Sequence, residues 1–362
     1  MAAADFDVNR MLEIDGSRGE GGGQVLRTCL SLSALTGRPF RLTHIRANRS
    51  RPGLRPQHLT AVRAAAAICN ASLSGDKLNA TTLEFRPQSR PRAGDYRFDV
   101  SKAAKGGSAG AVTLVFQAVL WPLLFADEPS SLTLLGGTHV PFSPPYHYLA
   151  HVARPAFARL EARFETALEA WGWYPAGGGR MTAAIKPVTR LQAVNFRRAP
   201  IDNVAGIAAV TNLPAHIPQR MARRAHNLLA EAGLPSQIEP VRQWGRGPGA
   251  GIFLWLPGGG FSALGQKGLP ADKVAETAVA ELIEFLDNTV SVDKYLADQL
   301  LLPLALAHGC STFTTHHLTQ HTLTNARILR RWLDVSVTID GVLNEPAGVT
   351  VEGIGWERVA HD

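Results

Sequence analysis

The chain has 362 residues, 45% of them hydrophobic, and a formal net charge of +7, which is typical of a basic globular protein with an acidic partner. Its basic residues cluster without forming an amphipathic anchor, so nucleic acid is favoured over a membrane. Three scattered cysteines exclude a disulfide scaffold, and the longest apolar stretch, residues 110–126, is interrupted by Gln117 and Pro122. Residues 1–16 show no secretory signal pattern. We therefore expect a cytoplasmic protein with no membrane segment.

The first predicted elements are a strand at Met11–Asp15, a glycine-rich turn and a helix at Gln24–Leu35. Backbone amides in such a turn can bind phosphate, although neither the Walker pattern nor the dinucleotide pattern GxGxxG is present. Glu20 lies inside this turn, where a carboxylate would repel phosphate unless a divalent cation lay between them. A plain turn and a phosphate-binding loop both remain open at this point.

The next segment is predicted as a strand, a basic loop and a helix. Arg46, Arg49, Arg51 and Arg55 fall in the loop and are followed by Gln57. Guanidinium groups bind phosphate oxygens in pairs, whereas the alternative is a solvated run of charge. Residues 41–74 contain no acidic residue, which argues against local salt bridges and favours binding of phosphate or nucleic acid.

The pattern of strand, glycine-containing turn and helix then recurs. We predict a hairpin-like region at Leu78–Asp99, a second glycine loop before a helix that carries Gln117, and a strand at Leu132–Leu135. A long helix at Tyr146–Ala170 and another glycine-rich turn, WYPAGGG, follow. The recurrence at roughly 80- to 90-residue intervals indicates internal structural repeats.

From about residue 189 the pattern changes to a small α/β unit rich in glycine and proline. Its predicted elements are strands at Ile201–Val210, Gln237–Arg242 and Ile252–Leu256 and a helix at Pro218–Ala232. We therefore predict a small inserted α/β domain at residues 189–275, and a large domain formed by residues 1–188 and 276–362. A helix at Pro270–Leu286, a helix carrying Tyr295 and Asp298, and strands at Val335–Ile339 and Val349–Val351 complete the predicted elements.

Near the C-terminus, an amphipathic helix is predicted from Thr322, with Thr322 and Thr324 as capping residues. His321 would then lie at the helix N-terminus, where the helix dipole disfavours a protonated imidazole and attracts anions. A neutral histidine beside an anion site can act as a nucleophile toward phosphorus. His316 and His317 lie nearby and leave metal binding open, although the spacing matches no standard zinc motif.

Seven segments, taken in order, resemble the RNA 3'-terminal phosphate cyclase family, in its catalytic branch, over residues 11–339. They are GEGGGQ (19–24) with Arg27, IRANRSRPGLRPQH (45–58), TLVFQ (113–117), GGT with SPP (136–145), YPAGGG (174–179), YLADQ (295–299) and HTLTN (321–325). The resemblance implies an α/β (α+β) fold, in which a large domain of repeated βαβαββ units carries a small inserted α/β domain. It also implies that ATP drives conversion of an RNA 3'-terminal phosphate to a 2',3'-cyclic phosphate, through a histidine–AMP intermediate and an RNA-(3')pp(5')A intermediate.

The resemblance assigns roles to single positions. His321 matches the adenylylated histidine, and Glu20 matches a carboxylate that holds Mg²⁺ or Mn²⁺ against ATP. The phosphate-contacting positions are Arg27, Arg46, Arg49 and Gln57, and the nucleotide pocket comprises Gln117, Tyr295, Leu296, Ala297, Asp298 and Gln299, with Tyr295 suited to stack on adenine. The loop at residues 101–110 is longer and more basic than is usual in the family. The alternatives are the family's non-catalytic branch, which works in ribosome assembly and lacks the histidine, and an RNA-binding protein without enzymatic activity.

Overall fold

The computed structural model describes residues 10–358; the predicted N-terminal and C-terminal boundaries at residues 1 and 362 lie outside them. The first folding unit comprises β1 (Leu12–Asp15), α1 (Gly23–Thr36), β2 (Phe40–Thr43), α2 (Pro56–Cys69), β3 (Ser72–Ser74) and β4 (Leu83–Arg86). Its strands are ordered β1-β2-β4-β3. β1 and β2 are parallel, and the other pairs are antiparallel. This is one βαβαββ unit.

The second unit repeats the same order. It comprises β5 (Asp95–Asp99), a 3₁₀ turn (Val100–Ala103), α3 (Val112–Leu124), β6 (Ser130–Gly136), α4 (Tyr146–Tyr148), a π-helical stretch (Leu149–Ala153), α5 (Arg154–Ala158), β7 (Phe164–Ala170) and β8 (Gly179–Ile185). The sheet order β5-β6-β8-β7 matches that of the first unit, again with a parallel first pair. The two units therefore share topology as well as spacing.

The third unit comprises α8 (Lys294–Leu306), β13 (His308–Thr315), α9 (Gln320–Trp332), β14 (Ser336–Gly341) and β15 (Ala347–Ile354). Its sheet order is β13-β15-β14, and the place of a parallel first strand is taken by one bridge between Val292 and Thr315. After β15 the chain returns to the second unit, where the Arg358 guanidinium donates to the Ala126 and Asp127 carbonyl oxygens at 3.1 Å. The predicted α/β fold of repeated βαβαββ units is confirmed.

Between the second and third units lies an inserted α/β unit. It comprises β9 (Val204–Thr211), α6 (His216–Glu231), β10 (Ser236–Gln243), β11 (Gly249–Leu256), β12 (Gly259–Leu264) and α7 (Ala271–Leu286), with the sheet order β10-β9-β11-β12. This unit has its own apolar core, which includes Met221 of α6, Leu254 of β11 and Val279 of α7. The division into domains stays a proposal; because α7 packs in this core, we propose that the small domain extends beyond residue 275 to the end of α7.

Two predicted elements are wrong. Leu78–Asp99 is not a hairpin, because β4 pairs with β2 and β3 while β5 belongs to the second sheet. The helix predicted at Tyr146–Ala170 ends at Ala158, and Phe164–Ala170 forms β7, which pairs with β8. The segment FETALEA contains strong helix formers, but tertiary pairing overrides local propensity here.

Helix α1 is the element around which the units pack. Small and apolar residues cover it on nearly all sides, so it is buried between α2, α3 and α9. Its packing against α9 brings the N-termini of these two helices together. Within residues 10–358 no helix is long and apolar enough to cross a membrane.

Candidate active site

Helix α9 begins two residues earlier than the sequence suggests. Its capping residue is Thr319, whose hydroxyl accepts a hydrogen bond from the Thr322 amide at 3.2 Å, so Thr322 and Thr324 are not the caps. His321 is therefore the second helical residue, within the turn that the helix dipole influences most. The predicted apolar face is confirmed, since Ile328, Leu329 and Trp332 are buried.

Gln24 determines which ring nitrogen of His321 carries a proton. The Gln24 amide nitrogen donates to the Asp298 carboxylate and to the His321 carbonyl oxygen at 3.2 Å, and both of these atoms can only accept. The amide oxygen of Gln24 must then face His321 Nδ1, 2.9 Å away. Because that oxygen accepts, Nδ1 must donate, and the lone pair of the neutral ring lies on Nε2.

The surroundings of His321 keep its ring neutral. Burial, together with the positive charges of Arg27 and Arg49, lowers the pKa of His321 to about 4. The side chain nevertheless remains 46% exposed, which leaves the ring open to an incoming group. A ring that is neutral at pH 7, accessible and deprotonated at Nε2 is a competent nucleophile.

Glu20 lies directly beside this nitrogen. Its side chain is 8% exposed, one oxygen lies 3.7 Å from His321 Nε2, and the same oxygen is paired with the Arg49 guanidinium. Among residues 10–358 the other oxygen, Oε2, has no partner, and the oxygen near the histidine is contacted by Arg49 alone. A buried carboxylate with unused lone pairs suits a hard divalent cation.

Two glycines allow the glycine loop to pack this closely. A Cβ on Gly22 would collide with the Glu20 carboxylate, which folds back over it. Gly19 has φ +79°, and a Cβ there would collide with the Thr324 hydroxyl, which also accepts the Glu20 amide at 3.0 Å. The loop is thereby fixed against the first turns of α9, and this favours a structured site over a plain turn.

The residues available for metal binding are few. In the part of the chain that the structure describes, no group of three or more His, Cys, Asp or Glu side chains could hold a metal ion. His316 packs edge-on against Phe285, with ring centroids 5.4 Å apart. A cation at Glu20 would therefore take most of its ligands from water and substrate phosphates, as Mg²⁺ commonly does.

Three arginines of the basic loop have different partners. Arg49 reaches Glu20, so it is ion-paired to a residue outside its own loop. Arg46 has φ +57°, and its guanidinium donates to the carbonyl oxygens of Arg51 at 2.6 Å and Gly53 at 3.1 Å. Arg55 donates to the Asn79 amide oxygen at 2.8 Å. Arg46 and Arg55 therefore brace the loop, and Arg49 faces the candidate nucleophile.

Gln57 and His58 open helix α2 beside the glycine loop. The Gln57 amide oxygen accepts the backbone N–H of Ala111 at 2.8 Å, which ties α2 to the loop before α3. His58 is buried, and its ring abuts Gly23 and Arg27. Burial and the surrounding arginines hold the pKa of His58 well below its usual range, so this ring is neutral.

A cavity of about 50 Å³ lies between α1, α3, α8 and α9. Its polar lining includes Arg27, Gln117, Asp298 and Gln299, and the Gln117 amide nitrogen donates to the Gln299 amide oxygen at 3.0 Å. Burial raises the pKa of Asp298 to about 6, while Arg27 acts in the opposite direction. The volume suits a water molecule or two, so a nucleoside would require these side chains to move.

The other predicted nucleotide residues lie outside this cavity. Leu296 and Ala297 are fully buried in the core, where they pack α8 against its neighbours. Tyr295 is 46% exposed, with its ring centroid 6.3 Å from that of Tyr148. A larger groove of about 650 Å³ lies near Arg198 and Ile283, but the nucleophile, carboxylate and arginines converge at His321, and we place the site there.

Several contributors were not assigned roles from the sequence. Gln24 was visible only as the last letter of GEGGGQ, yet it orients the histidine. Asn325 donates to the Asp298 carbonyl oxygen at 3.1 Å and accepts from the Thr28 hydroxyl at 2.9 Å, which joins α9 to α8 and α1. Sequence motifs mark these positions, but Gln24 and His321, like Thr28 and Asn325, are 297 residues apart along the chain.

Comparison with known proteins gives a consistent result. A sequence model described as RNA 3'-terminal phosphate cyclase matches residues 18–339. Proteins named RNA 3'-terminal phosphate cyclase from Gloeothece citriformis and Trichormus variabilis are 50% and 49% identical, covering 89% and 91% of this chain and 93% and 96% of their own lengths. A protein of the same name from Nostoc punctiforme is 50% identical over 89% of this chain and 94% of its own length.

Proposed function

Because this chain belongs to the RNA 3'-terminal phosphate cyclase family, we propose that it converts an RNA 3'-terminal phosphate to a 2',3'-cyclic phosphate at the expense of ATP. The observation that carries the proposal is the state of His321, which has Nδ1 held by Gln24 and a free lone pair on Nε2. A protein that only binds RNA has no need of a histidine held in this way. We place the enzyme in the cytoplasm, where its three cysteines would stay reduced.

In the first step, His321 Nε2 attacks the α-phosphorus of ATP. A nitrogen–phosphorus bond forms, the bond to the bridging oxygen breaks, and pyrophosphate leaves with that electron pair. Nδ1 keeps its proton, and the Gln24 oxygen stabilises the positive charge that develops on the ring. The N-termini of α1 and α9, with Arg27 and Arg49, stabilise the negative charge on phosphorus.

The second and third steps follow from leaving-group chemistry. An oxygen of the RNA 3'-phosphate attacks the phosphorus of the histidine–AMP, His321 departs as a neutral ring, and RNA-(3')pp(5')A results. The neighbouring 2'-hydroxyl then attacks the RNA phosphorus, loses its proton and expels AMP. Adenylylation supplies the good leaving group that a phosphate monoester lacks, and the adjacent hydroxyl supplies proximity.

The remaining residues hold and shield the substrates. Glu20 would hold a divalent cation, Mg²⁺ or Mn²⁺, whose charge screens the carboxylate from the phosphates of ATP. Arg49 and Gln57 lie where phosphate groups would pass, and Arg46 keeps their loop in shape. Gln117, Asp298 and Gln299 would contact the nucleotide once the side chains around their cavity have moved, and Tyr295, which is 46% exposed, would stack on adenine.

The proposal is tested by incubating the protein with ATP, a divalent metal and an RNA that ends in a 3'-phosphate. We expect the end to become resistant to phosphatase while AMP and pyrophosphate accumulate, and the same RNA ending in a 3'-hydroxyl to stay unchanged. The non-catalytic alternative predicts RNA binding without ATP consumption. Failure of any terminal phosphate to become phosphatase-resistant would contradict the proposal.

A further inference from the structure

Three large aromatic side chains are conspicuously exposed on one part of the surface. Phe142, Tyr174 and Trp244 are 101%, 68% and 74% exposed, although aromatic rings usually bury most of their area. Phe142 also has φ +60°, a conformation that a non-glycine residue adopts at a cost in strain. These rings contribute nothing to the core, so a role in binding must be considered.

The loop before α3 connects two of these rings to the candidate active site. Ala109 packs in a cluster with Val140, two residues before Phe142. A Cβ on Gly177 would touch Ser108 and Ala109, so the turn that begins at Tyr174 lies against the same loop. The other end of the loop is held by Gln57 through its bond to Ala111.

The third ring lies on the inserted unit and continues this surface. The side chain of Arg246 packs against Gly178, and a Cβ on Gly247 would touch Ala176, so the segment after β10 meets the WYPAGGG turn. The Arg242 guanidinium lies over the Trp244 ring, 4.7 Å from its centroid. A continuous surface therefore extends from Gln57 across the loop to Trp244.

The charged residues of this surface are all basic. The four segments that form it, residues 101–110, 137–148, 171–182 and 242–251, contain no aspartate or glutamate. They carry five basic residues, Lys102, Lys105, Arg180, Arg242 and Arg246, of which Arg180 is paired with Glu169 at 2.8 Å. Exposed aromatic rings beside unpaired positive charge are the features that bind single-stranded nucleic acid, through base stacking and phosphate contacts.

We propose that this surface, the aromatic track formed by Phe142, Tyr174, Trp244, Arg242 and Arg246, binds the single-stranded RNA that precedes the reacting 3'-end. The inference rests on the proposed function, because that function places the terminal phosphate beside Gln57 and Arg49. The track then holds the upstream nucleotides by stacking, which tolerates any base, and extends across the inserted unit. The inserted unit, which carries Trp244, therefore takes part in binding the RNA substrate.

The test compares RNA ligands of two lengths, each with a 3'-phosphate and a fluorescent 5'-end: a dinucleotide and an oligomer of about twelve nucleotides. Dissociation constants are measured by fluorescence anisotropy for the wild type, Trp244→Ala, Arg246→Ala and Arg223→Ala. Arg223 is the control, because it lies exposed on α6, which packs on the opposite face of the β9–β12 sheet. Tyr174→Ala and Phe142→Ala provide independent variants at exposed positions.

We expect Trp244→Ala to bind the long RNA about tenfold more weakly and the dinucleotide as the wild type does. Arg246→Ala should reduce the slope of log affinity against log salt by about one, and Arg223→Ala should change neither quantity. The track would be overturned if Trp244→Ala lost affinity equally for the dinucleotide and the long RNA. It would also be overturned if all the aromatic variants bound the long RNA with wild-type affinity. If ATP does not transfer AMP to His321 of the wild type in the absence of RNA, the proposed function is overturned but the track is not. The dependence of RNA binding on length is measured without any reaction taking place.

Discussion

At the scale of single residues, the reactivity that we propose for His321 depends on its neighbour Gln24. Gln24 holds Nδ1 as the donor because its own amide nitrogen is committed to Asp298 and to the His321 carbonyl oxygen. Without that contact the ring can flip or change tautomer, and Nε2 would then carry the proton in part of the population. The nucleophile is thus determined by an amide 297 residues away in the sequence.

Replacing Gln24 with leucine should therefore slow adenylylation of the protein on the order of 10²-fold. The affinity for ATP should change much less, because Gln24 orients the ring rather than holding the phosphates. Single-turnover release of pyrophosphate measures the rate, and Gln88→Leu, whose amide bonds the Arg86 carbonyl oxygen in the first unit, is the matched control. If Gln24→Leu reacted at the wild-type rate, Gln24 would not control the tautomer of His321.

Much of this site could be predicted from local patterns, and the rest depends on contacts that no local pattern contains. The glycine loop, the arginine loop and the helix of His321 were each visible as short motifs. The bond from Gln24 to His321 and the ion pair from Arg49 to Glu20 join residues far apart in the chain, so neither could be read from spacing. The segment 41–74 has no acidic residue of its own, yet Arg49 finds a partner in the glycine loop.

At the scale of elements, the glycine loop presents a carboxylate to a region that otherwise attracts anions. Glu20→Ala should raise the metal concentration needed for half-maximal adenylylation, because the carboxylate that lies 3.7 Å from His321 Nε2 is lost. The fold should survive, since the loop is also held by the Glu20 amide and Thr324. Rates across a Mg²⁺ and Mn²⁺ titration measure the effect, with Glu13→Ala, on β1, as a control. An unchanged titration curve would remove Glu20 from the metal site.

The arginine loop gives a second prediction at this scale. Arg49→Ala should impair reaction with phosphate-ended RNA and lower the melting temperature only slightly, because the space left by this 45% exposed side chain lets water reach the Glu20 carboxylate. Arg46→Ala should lower the melting temperature, since two carbonyl oxygens lose their donor. Thermal unfolding and cyclisation assays on both variants make the comparison. If Arg46→Ala impaired cyclisation without lowering the melting temperature, Arg46 would not be a residue that braces the loop.

Helix and strand boundaries show where local propensity fails. FETALEA favours a helix by composition, but it pairs with β8 to complete the second sheet. The apolar periodicity of α9 becomes clear only after Thr319, so the sequence pattern does not indicate this residue as the cap. In both cases the contact that determines the structure involves residues outside the short segment that shows the pattern.

At the scale of the whole molecule, repeated units place helix N-termini beside one another, and aromatic packing joins the second unit to the inserted one. His139 Nε2 lies 2.9 Å from His147 Nδ1, and His151 stacks on Trp255 at a centroid distance of 4.0 Å. Burial holds the pKa of His139 well below its usual range, lowers that of His147 to about 3 and lowers that of His151. These rings are neutral in the folded protein.

The sign of the pH effect follows from linkage. Between pH 6.5 and 4, His58, His139, His147, His316 and His321 bind protons in the unfolded chain more than in the folded protein, so stability falls as the pH falls. The lowered pKa of His151 acts in the same direction. Asp293 and Asp298, whose pKa values are raised to about 6, act in the opposite direction and offset part of the loss. Six histidines outweigh two carboxylates, so the net effect is destabilising.

We therefore expect the melting temperature to fall from pH 7 to pH 5, and His147→Asn to make that fall smaller. His226→Asn, at an exposed position on α6, is the control and should keep the wild-type dependence on pH. Differential scanning calorimetry at constant ionic strength measures the effect. A melting temperature that stays constant or rises on acidification would contradict the role assigned to the buried histidines.

The proposed reaction requires that His321 become covalently attached to AMP. The most direct measurement incubates the protein with a divalent metal and ATP labelled in its α-phosphate, without RNA, and follows label on the denatured protein. We expect one label per chain, stable to alkali and lost in acid as a phosphoramidate is. His321→Ala should lack the label, and His316→Ala and His317→Ala should retain it. Full labelling of a folded His321→Ala protein would contradict it.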